Sequence, residues 1–161
     1  MTETIPKTVL ITGAARRIGK AIADYLACEG FAVAIHARSS LAEAEEFANV
    51  LRQKGGKAVV LQADLMDCAS PAELMEKATK ALGPVGVLVN NASVFHKDEA
   101  ETFDAETFDA HFAVHVRAPS ILSAAFARQL PQDHSGLIVN IIDQRVSVSY
   151  THLTLPTKRI V

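Results

Sequence analysis

Residues 7–30 read KTVLITGAARRIGKAIADYLACEG, and their reading decides the fold. An apolar run, Val9-Leu10-Ile11, feeds the turn Thr12-Gly13-Ala14-Ala15-Arg16-Arg17-Ile18-Gly19. Beyond it Ile18, Ile22, Tyr25 and Leu26 recur at i, i+4, i+7 and i+8, the spacing of one helix face. A helix opening out of such a turn offers unpaired N–H groups and the positive end of its dipole, which suit a phosphate. Gly13 admits a tight turn, and Gly19 lets helix and strand approach closely. The same letters also fit an ordinary βα turn that carries two glycines.

The pattern repeats along the chain. Strand-like runs at 7–12, 31–36, 57–62, 86–90 and 136–142 alternate with helical spacings. Leu41, Ala44, Ala48 and Leu51 form one such spacing, and Leu74, Ala78, Ala81 and Leu82 another. A longer helix is expected from about 105 to 129, with Phe108 and Phe112 on one face. Continuous apolar strands imply burial on both faces, so five of them with helical crossovers give an α/β fold, a doubly wound parallel sheet. The pentad Glu101-Thr102-Phe103-Asp104-Ala105 recurs at 106–110; the first copy reads as loop and the second as helix start. Six acids and one lysine in 97–109 read as a solvated acidic loop, and no metal site is expected.

At 161 residues, 49% hydrophobic and 21% charged with a formal net charge of −2, the chain has the composition of one soluble globular domain. That balance gives no argument for nucleic acid or an anionic membrane surface. Cys28 and Cys68 show no metal-ligand spacing and read as two buried free thiols in a reducing, cytoplasmic setting.

Three motifs carry a resemblance. Thr12 to Gly19 resembles the cofactor turn T-G-x-x-x-G-x-G of the short-chain dehydrogenase/reductase family, with Arg17 in place of the middle glycine. Asn90-Asn91-Ala92-Ser93 after the fourth strand is similar to the family's N-N-A-G, and Asp64 closes the third strand where the family uses an aspartate beside the adenine. Arg17, Ser93 and Phe95 look like the pteridine reductases and dihydromonapterin reductases within it. The resemblance covers roughly residues 5–146 and implies a Rossmann-like fold with a homo-oligomeric parent enzyme.

Cofactor choice follows from charge. NAD-binding units usually end the second strand with an acid, whereas NADP-binding units put a cation there. Here the stretch is His36-Ala37-Arg38-Ser39-Ser40, with no acid before Glu43. Arg38 can fork onto a 2′-phosphate, with serine hydroxyls as added donors, although a solvent-exposed loop arginine is the plainer alternative. NADP(H) is therefore the expected cofactor. The residues expected to hold it are Gly13, Arg16, Arg17, Ile18, Gly19, His36, Arg38, Ser39, Asp64, Leu65, Asn90, Asn91 and Ala92.

On the substrate side the resemblance implies that Ser93, Phe95 and Asp143 hold a small molecule, a pterin of the dihydromonapterin or dihydrobiopterin type. Phe95 would stack on a flat heteroaromatic ring, or simply pack on a neighbouring helix. Asp143 stands where most of the family places a serine; it would anchor the proton relay, or face solvent at a strand end. His115 aligns with the family's helix-borne asparagine and would bridge a water in that relay, or be an ordinary partly buried residue. Asp143 and His115 are thus the expected catalytic residues.

The family's Tyr-x-x-x-Lys is missing, since its places hold Pro156 and Ile160. Residues 147–161, SVSYTHLTLPTKRIV, show neither period and supply no helix after the fifth strand. The sequence is therefore expected to hold an incomplete NADP-binding Rossmann domain over 1–146, truncated after the fifth strand. Residues 147–161 are expected to be an irregular tail foreign to the family. The expected function is the N-terminal fragment of an NADPH-dependent pterin reductase, inactive as it stands. A carbonyl reductase acting on a 3-oxoacyl group and a non-catalytic NADP-binding module are the alternatives.

Overall fold

The computed structural model describes residues 4–96 and 102–143. Five strands, β1 Thr8–Ile11, β2 Ala32–Ala37, β3 Ala58–Gln62, β4 Val87–Asn90 and β5 Leu137–Asn140, form one sheet in the order β3-β2-β1-β4-β5. Every pairing is parallel, as the apolar runs predict. Helices α1 Arg17–Cys28, α2 Leu41–Gln53, α3 Ser70–Leu82, α4 Ala105–Phe112 and α5 Ala118–Gln129 connect them.

Side chains alternate across each strand, and both sets are buried. Val9, Ile11, Val33, Ile35, Val87 and Val89 pack with Ala23 of α1 and Ala44, Phe47 and Ala48 of α2. Leu10, Ala34 and Leu88 face the opposite layer, with Leu74, Met75 and Ala78 of α3 and Leu122 and Phe126 of α5. The strand order reverses between β1 and β4. Their connections leave in opposite directions there, which opens a crevice at the carboxyl ends of the strands.

Several expectations need correction. In α1 the buried contact is made by Gly19 and Ala23, flanked by the half-buried Ile22 and Leu26, while Ile18 and Tyr25 are exposed. In α3 Met75 takes the inward place expected of Ala81, which faces solvent. Both cysteines are free but exposed. Cys28 lies about 180° from Gly19 around α1 at about 100° per residue, and Cys68 sits in the connection between β3 and α3. The edge strand β5 is not buried on both faces, with Leu137 and Ile138 exposed.

The long helix expected over 105–129 is continuous in direction but not in type. A π-helical turn, Ala113–Arg117, joins α4 to α5. Pro119 has no N–H to donate to the His115 carbonyl, so the hydrogen-bond register widens just before it. Asp104 caps α4 by accepting from the Thr107 N–H at 2.8 Å, so the helix opens at Ala105, the last residue of the first copy of the pentad, and takes in the whole second copy; Glu101 lies outside the described residues. Phe103 of the first copy then meets Phe108 of the second, with ring centroids 5.7 Å apart. Residues 144–161, which include the 146 boundary, the tail, Pro156 and Ile160, lie outside the described residues.

Candidate functional site

The turn after β1 is held from two sides. Thr12, almost wholly buried, accepts from the Asn91 and Ala92 N–H groups, each at 2.9 Å, through Oγ1. Asn91 Nδ2 donates back to the carbonyls of Thr12 at 2.8 Å and Gly13 at 3.1 Å. From the other side the Gly13 N–H donates to His36 Nδ1 at 3.1 Å, and the Ala14 N–H to the His36 carbonyl at 2.9 Å. Gly13 has φ +65°, and a Cβ there would lie 3.0 Å from the Ala92 Cα. Only glycine meets both demands.

A cleft of about 440 Å³ opens over this turn. From the turn itself Gly13, Arg16, Arg17, Ile18 and Gly19 line it. The ends of β2 and β3 contribute His36, Arg38, Ser39, Asp64 and Leu65, and the segment after β4 contributes Asn91, Ala92 and Ser93. The sequence-based set therefore converges on one cavity, with one exception. Asn90 lies beneath the cleft rather than in its wall: it is buried, and its Nδ2 donates to Asn140 Oδ1 at 2.8 Å across the β4–β5 pair. His36 lines the cleft, yet both its nitrogens are turned to the protein.

Arg17 opens α1 with φ +50°, a left-handed conformation that favours glycine. Arg16 is paired with Glu43, on the first turn of α2. Arg38 is exposed, and its contact with Met66 Sδ at 3.8 Å leaves its guanidinium at the cleft edge. Asp64 accepts from the Met66 N–H at 2.9 Å, which fixes the turn after β3.

At the far end Ser93 Oγ lies 3.0 Å from His115 Nε2, which joins the segment after β4 to the π-helical turn. Burial and the neighbouring His111 both push the His115 pKa down, against a hydrogen bond with the His111 backbone that raises it. Phe95 is 78% exposed. Asp143 is exposed beyond β5, where the Ile141 N–H donates to the Asn90 carbonyl at 2.9 Å. Phe95, His115 and Asp143 do not line the cleft.

Sequence reasoning missed the anchoring role of Thr12, although the residue heads the quoted turn. It also missed Glu43 as the partner of Arg16 and Val114 as part of the cleft wall. Glu43 carried a signal, being the first acid after β2.

The short chain dehydrogenase family profile matches residues 7–155. The chain belongs to the short-chain dehydrogenase family. An uncharacterised oxidoreductase of Methylorubrum extorquens is 32% identical over 160 residues, covering 99% of this chain and 62% of that protein. The oxidoreductase YgfF of Escherichia coli is 37% identical over 136 residues, 82% of this chain and 55% of that one. Among solved structures, the FolM alternative dihydrofolate reductase 1 of Brucella canis, complexed with NADP, is 50% identical with a TM-score of 0.83. It matches 86% of this chain and 56% of its own. A short chain dehydrogenase of Burkholderia cenocepacia, also with NADP, is 33% identical with a TM-score of 0.78 over 84% of this chain and 55% of its own. The chain thus spans 62% or less of the length of each of these relatives.

Proposed function

We propose that this chain is the NADP(H)-binding part of a short-chain reductase whose substrate is a pterin. The cleft supports the cofactor. Arg16, Arg17 and Arg38 bring three cations to one cavity, and Ser39 adds a hydroxyl beside Arg38. The close approaches at Gly13 and Gly19, to Ala92 and to the Asn91 amide, hold the turn tight against the segment after β4 and keep side chains out of it. Arg38 and Ser39 would hold the 2′-phosphate, the turn and the start of α1 the pyrophosphate, and Asp64 and Leu65 the adenine end. When bound, the nicotinamide supplies a hydride to the substrate.

The observation that carries the pterin reading is the 50% identity to a dihydrofolate reductase in its NADP complex, since dihydrofolate is itself a pterin. Ser93 in the cleft wall and the exposed Phe95 two residues on support it: an exposed aromatic ring can stack on a flat heterocycle, and a hydroxyl can orient it. Ser93 and His115, 3.0 Å apart, would hold one end of a proton path and Asp143 the other, and the sequence offers no Tyr-x-x-x-Lys to donate the proton. The chain alone therefore binds cofactor without turning over substrate.

Fluorescence titration of the chain with NADPH and NADH tests the cofactor. Tighter binding of NADPH, lost on Arg38→Ala, is the expected result, and equal affinity for the two overturns it. In the whole protein carrying this sequence, Phe95→Ala should lower dihydropterin reduction while leaving NADPH affinity in place. Unchanged pterin turnover, or turnover of a 3-oxoacyl substrate instead, would refute the pterin reading.

A further inference from the structure

His36 is the one histidine among the described residues that is buried, being only 2% exposed at the next-to-last position of β2, towards the cleft. Its ring and backbone together take two consecutive N–H groups of the glycine turn: Gly13 donates to Nδ1 at 3.1 Å, and Ala14 to the carbonyl at 2.9 Å. The opposite ring nitrogen, Nε2, lies 3.1 Å from the Ala63 carbonyl. An amide N–H can only donate and a carbonyl can only accept. The arrangement therefore fixes one tautomer, neutral imidazole with its proton on Nε2.

We infer that His36 is a positioning residue: in its neutral Nε2–H form it holds the Gly13 turn in the shape that receives the dinucleotide phosphates, and protonation releases that turn. The inference rests on the cofactor reading and goes beyond it, because His36 offers the ligand no nitrogen of its own. The chemistry is simple. A proton added to Nδ1 would point at the Gly13 N–H, donor against donor, and the turn would lose one of the two bonds that set its side facing β2. Asn91 would still hold the Thr12 carbonyl of that same peptide from the β4 side, and the Ala14 N–H would still reach the His36 carbonyl, so the Thr12–Gly13 peptide alone would lose its N–H anchor and be free to tilt.

The charged groups around the ring act in opposed directions. Asp64, just beyond β3, favours the imidazolium, while Arg16, Arg17 and Arg38 share the cleft and carry positive charge. Burial outweighs the Asp64 attraction and the Ala63 bond, and the His36 pKa lies below its ordinary value. The neutral form is thus the one present at neutral pH, and the turn is set for binding there.

Two measurements on the full 161-residue chain test this. Long-range proton–nitrogen NMR of the histidine rings should find His36 as the Nε2–H tautomer, titrating below the ordinary histidine value. An Nδ1–H tautomer, or an ordinary titration, would overturn the inference whether or not NADPH binds. NADPH affinity is then followed from pH 8 to at least one unit below the His36 pKa that the NMR titration gives, for the natural chain and for His36→Asn, whose side-chain oxygen can accept from Gly13 but does not titrate. Each curve is normalised to its own value at pH 8. If only the neutral form is competent, the natural chain loses affinity by up to about tenfold per pH unit below the His36 pKa, beyond what the variant loses. The 2′-phosphate titrates equally in both, so it cancels. Parallel curves would overturn the positioning role while leaving the cofactor reading intact; absence of NADPH binding at pH 8 would overturn the cofactor reading.

Discussion

Asn91 Nδ2 lies 2.5 Å from the point where a Cβ on Gly19 would stand. The Gly13 carbonyl is equally close to that point, so the amide that fastens the glycine turn also fills the space above α1. Glycine here is required by contact rather than by backbone conformation, and α1 packs its Gly19–Ala23 edge against the sheet for the same reason.

Gly19→Ala should therefore destabilise the chain and abolish cofactor binding. Helix propensity favours alanine by about 1 kcal/mol. Overpacking against a backbone carbonyl and an engaged amide costs about 1–3 kcal/mol and displaces Asn91. The second effect wins. A fall in the urea midpoint together with loss of NADPH fluorescence enhancement checks it; an unchanged midpoint would show that the turn can shift freely.

Arg17 presents the opposite balance. Its φ of +50° strains a non-glycine residue by about 1–3 kcal/mol, more than the roughly 0.5–1 kcal/mol of backbone entropy that glycine forfeits on folding. Arg17→Gly is expected to raise the thermal midpoint slightly and to weaken NADPH binding, because the strained residue is a cation in the cleft. A loss of both stability and affinity would mean that the arginine side chain, not the backbone, dominates at this position.

Glu43 competes with the ligand for Arg16. Both side chains are about half exposed, at 60% and 46%, so the pair is weak and weakens further with salt. Glu43→Gln should tighten NADPH binding by about 1.5- to 5-fold at low ionic strength. The gain should vanish at high salt. Weaker binding in the variant would instead mean that Glu43 orients Arg16 for the phosphate.

Stability should fall with acid in a window set by His36. Burial depresses its pKa in the folded chain, whereas the unfolded chain titrates near 6.5. Between those two values the unfolded chain binds more protons, so stability rises with pH there. The stabilisation is full above the unfolded value and is lost as pH falls towards the folded one. Asp67, Asp104 and Asp133 have depressed carboxyl pKa values and act only at lower pH, so measurements above pH 5 separate the two effects. Chemical unfolding of the natural chain and His36→Asn from pH 7.5 to 5 should show the steeper decline in the natural chain. Identical slopes would assign the loss to other groups.

Local pattern carried much of this. The turn Thr12–Gly19, the bare end of β2 and the segment Asn90–Ser93 are short stretches whose residue types declare their chemistry, and all three reach the same crevice. The exposed cysteines and Tyr25 were misread, because helical spacing gives a face but not how wide a strip of it the sheet covers. Asn90 was misplaced for a related reason. Adjacent asparagines on a strand point to opposite sides, and only the β4–β5 pairing decides which one meets the cleft.

The parallel α/β fold, the glycine turn and the cationic end of β2 are legible in the order of residues, since apolar period and turn chemistry are properties of neighbouring residues. Tertiary structure alone decided who holds that turn. Thr12 finds Asn91 79 residues away, Gly13 finds His36 across 23, and Arg16 finds Glu43 across 27. Hydrogen bonds between such distant residues leave no period in the chain; they exist only once burial of the two sheet faces has brought the strand ends together.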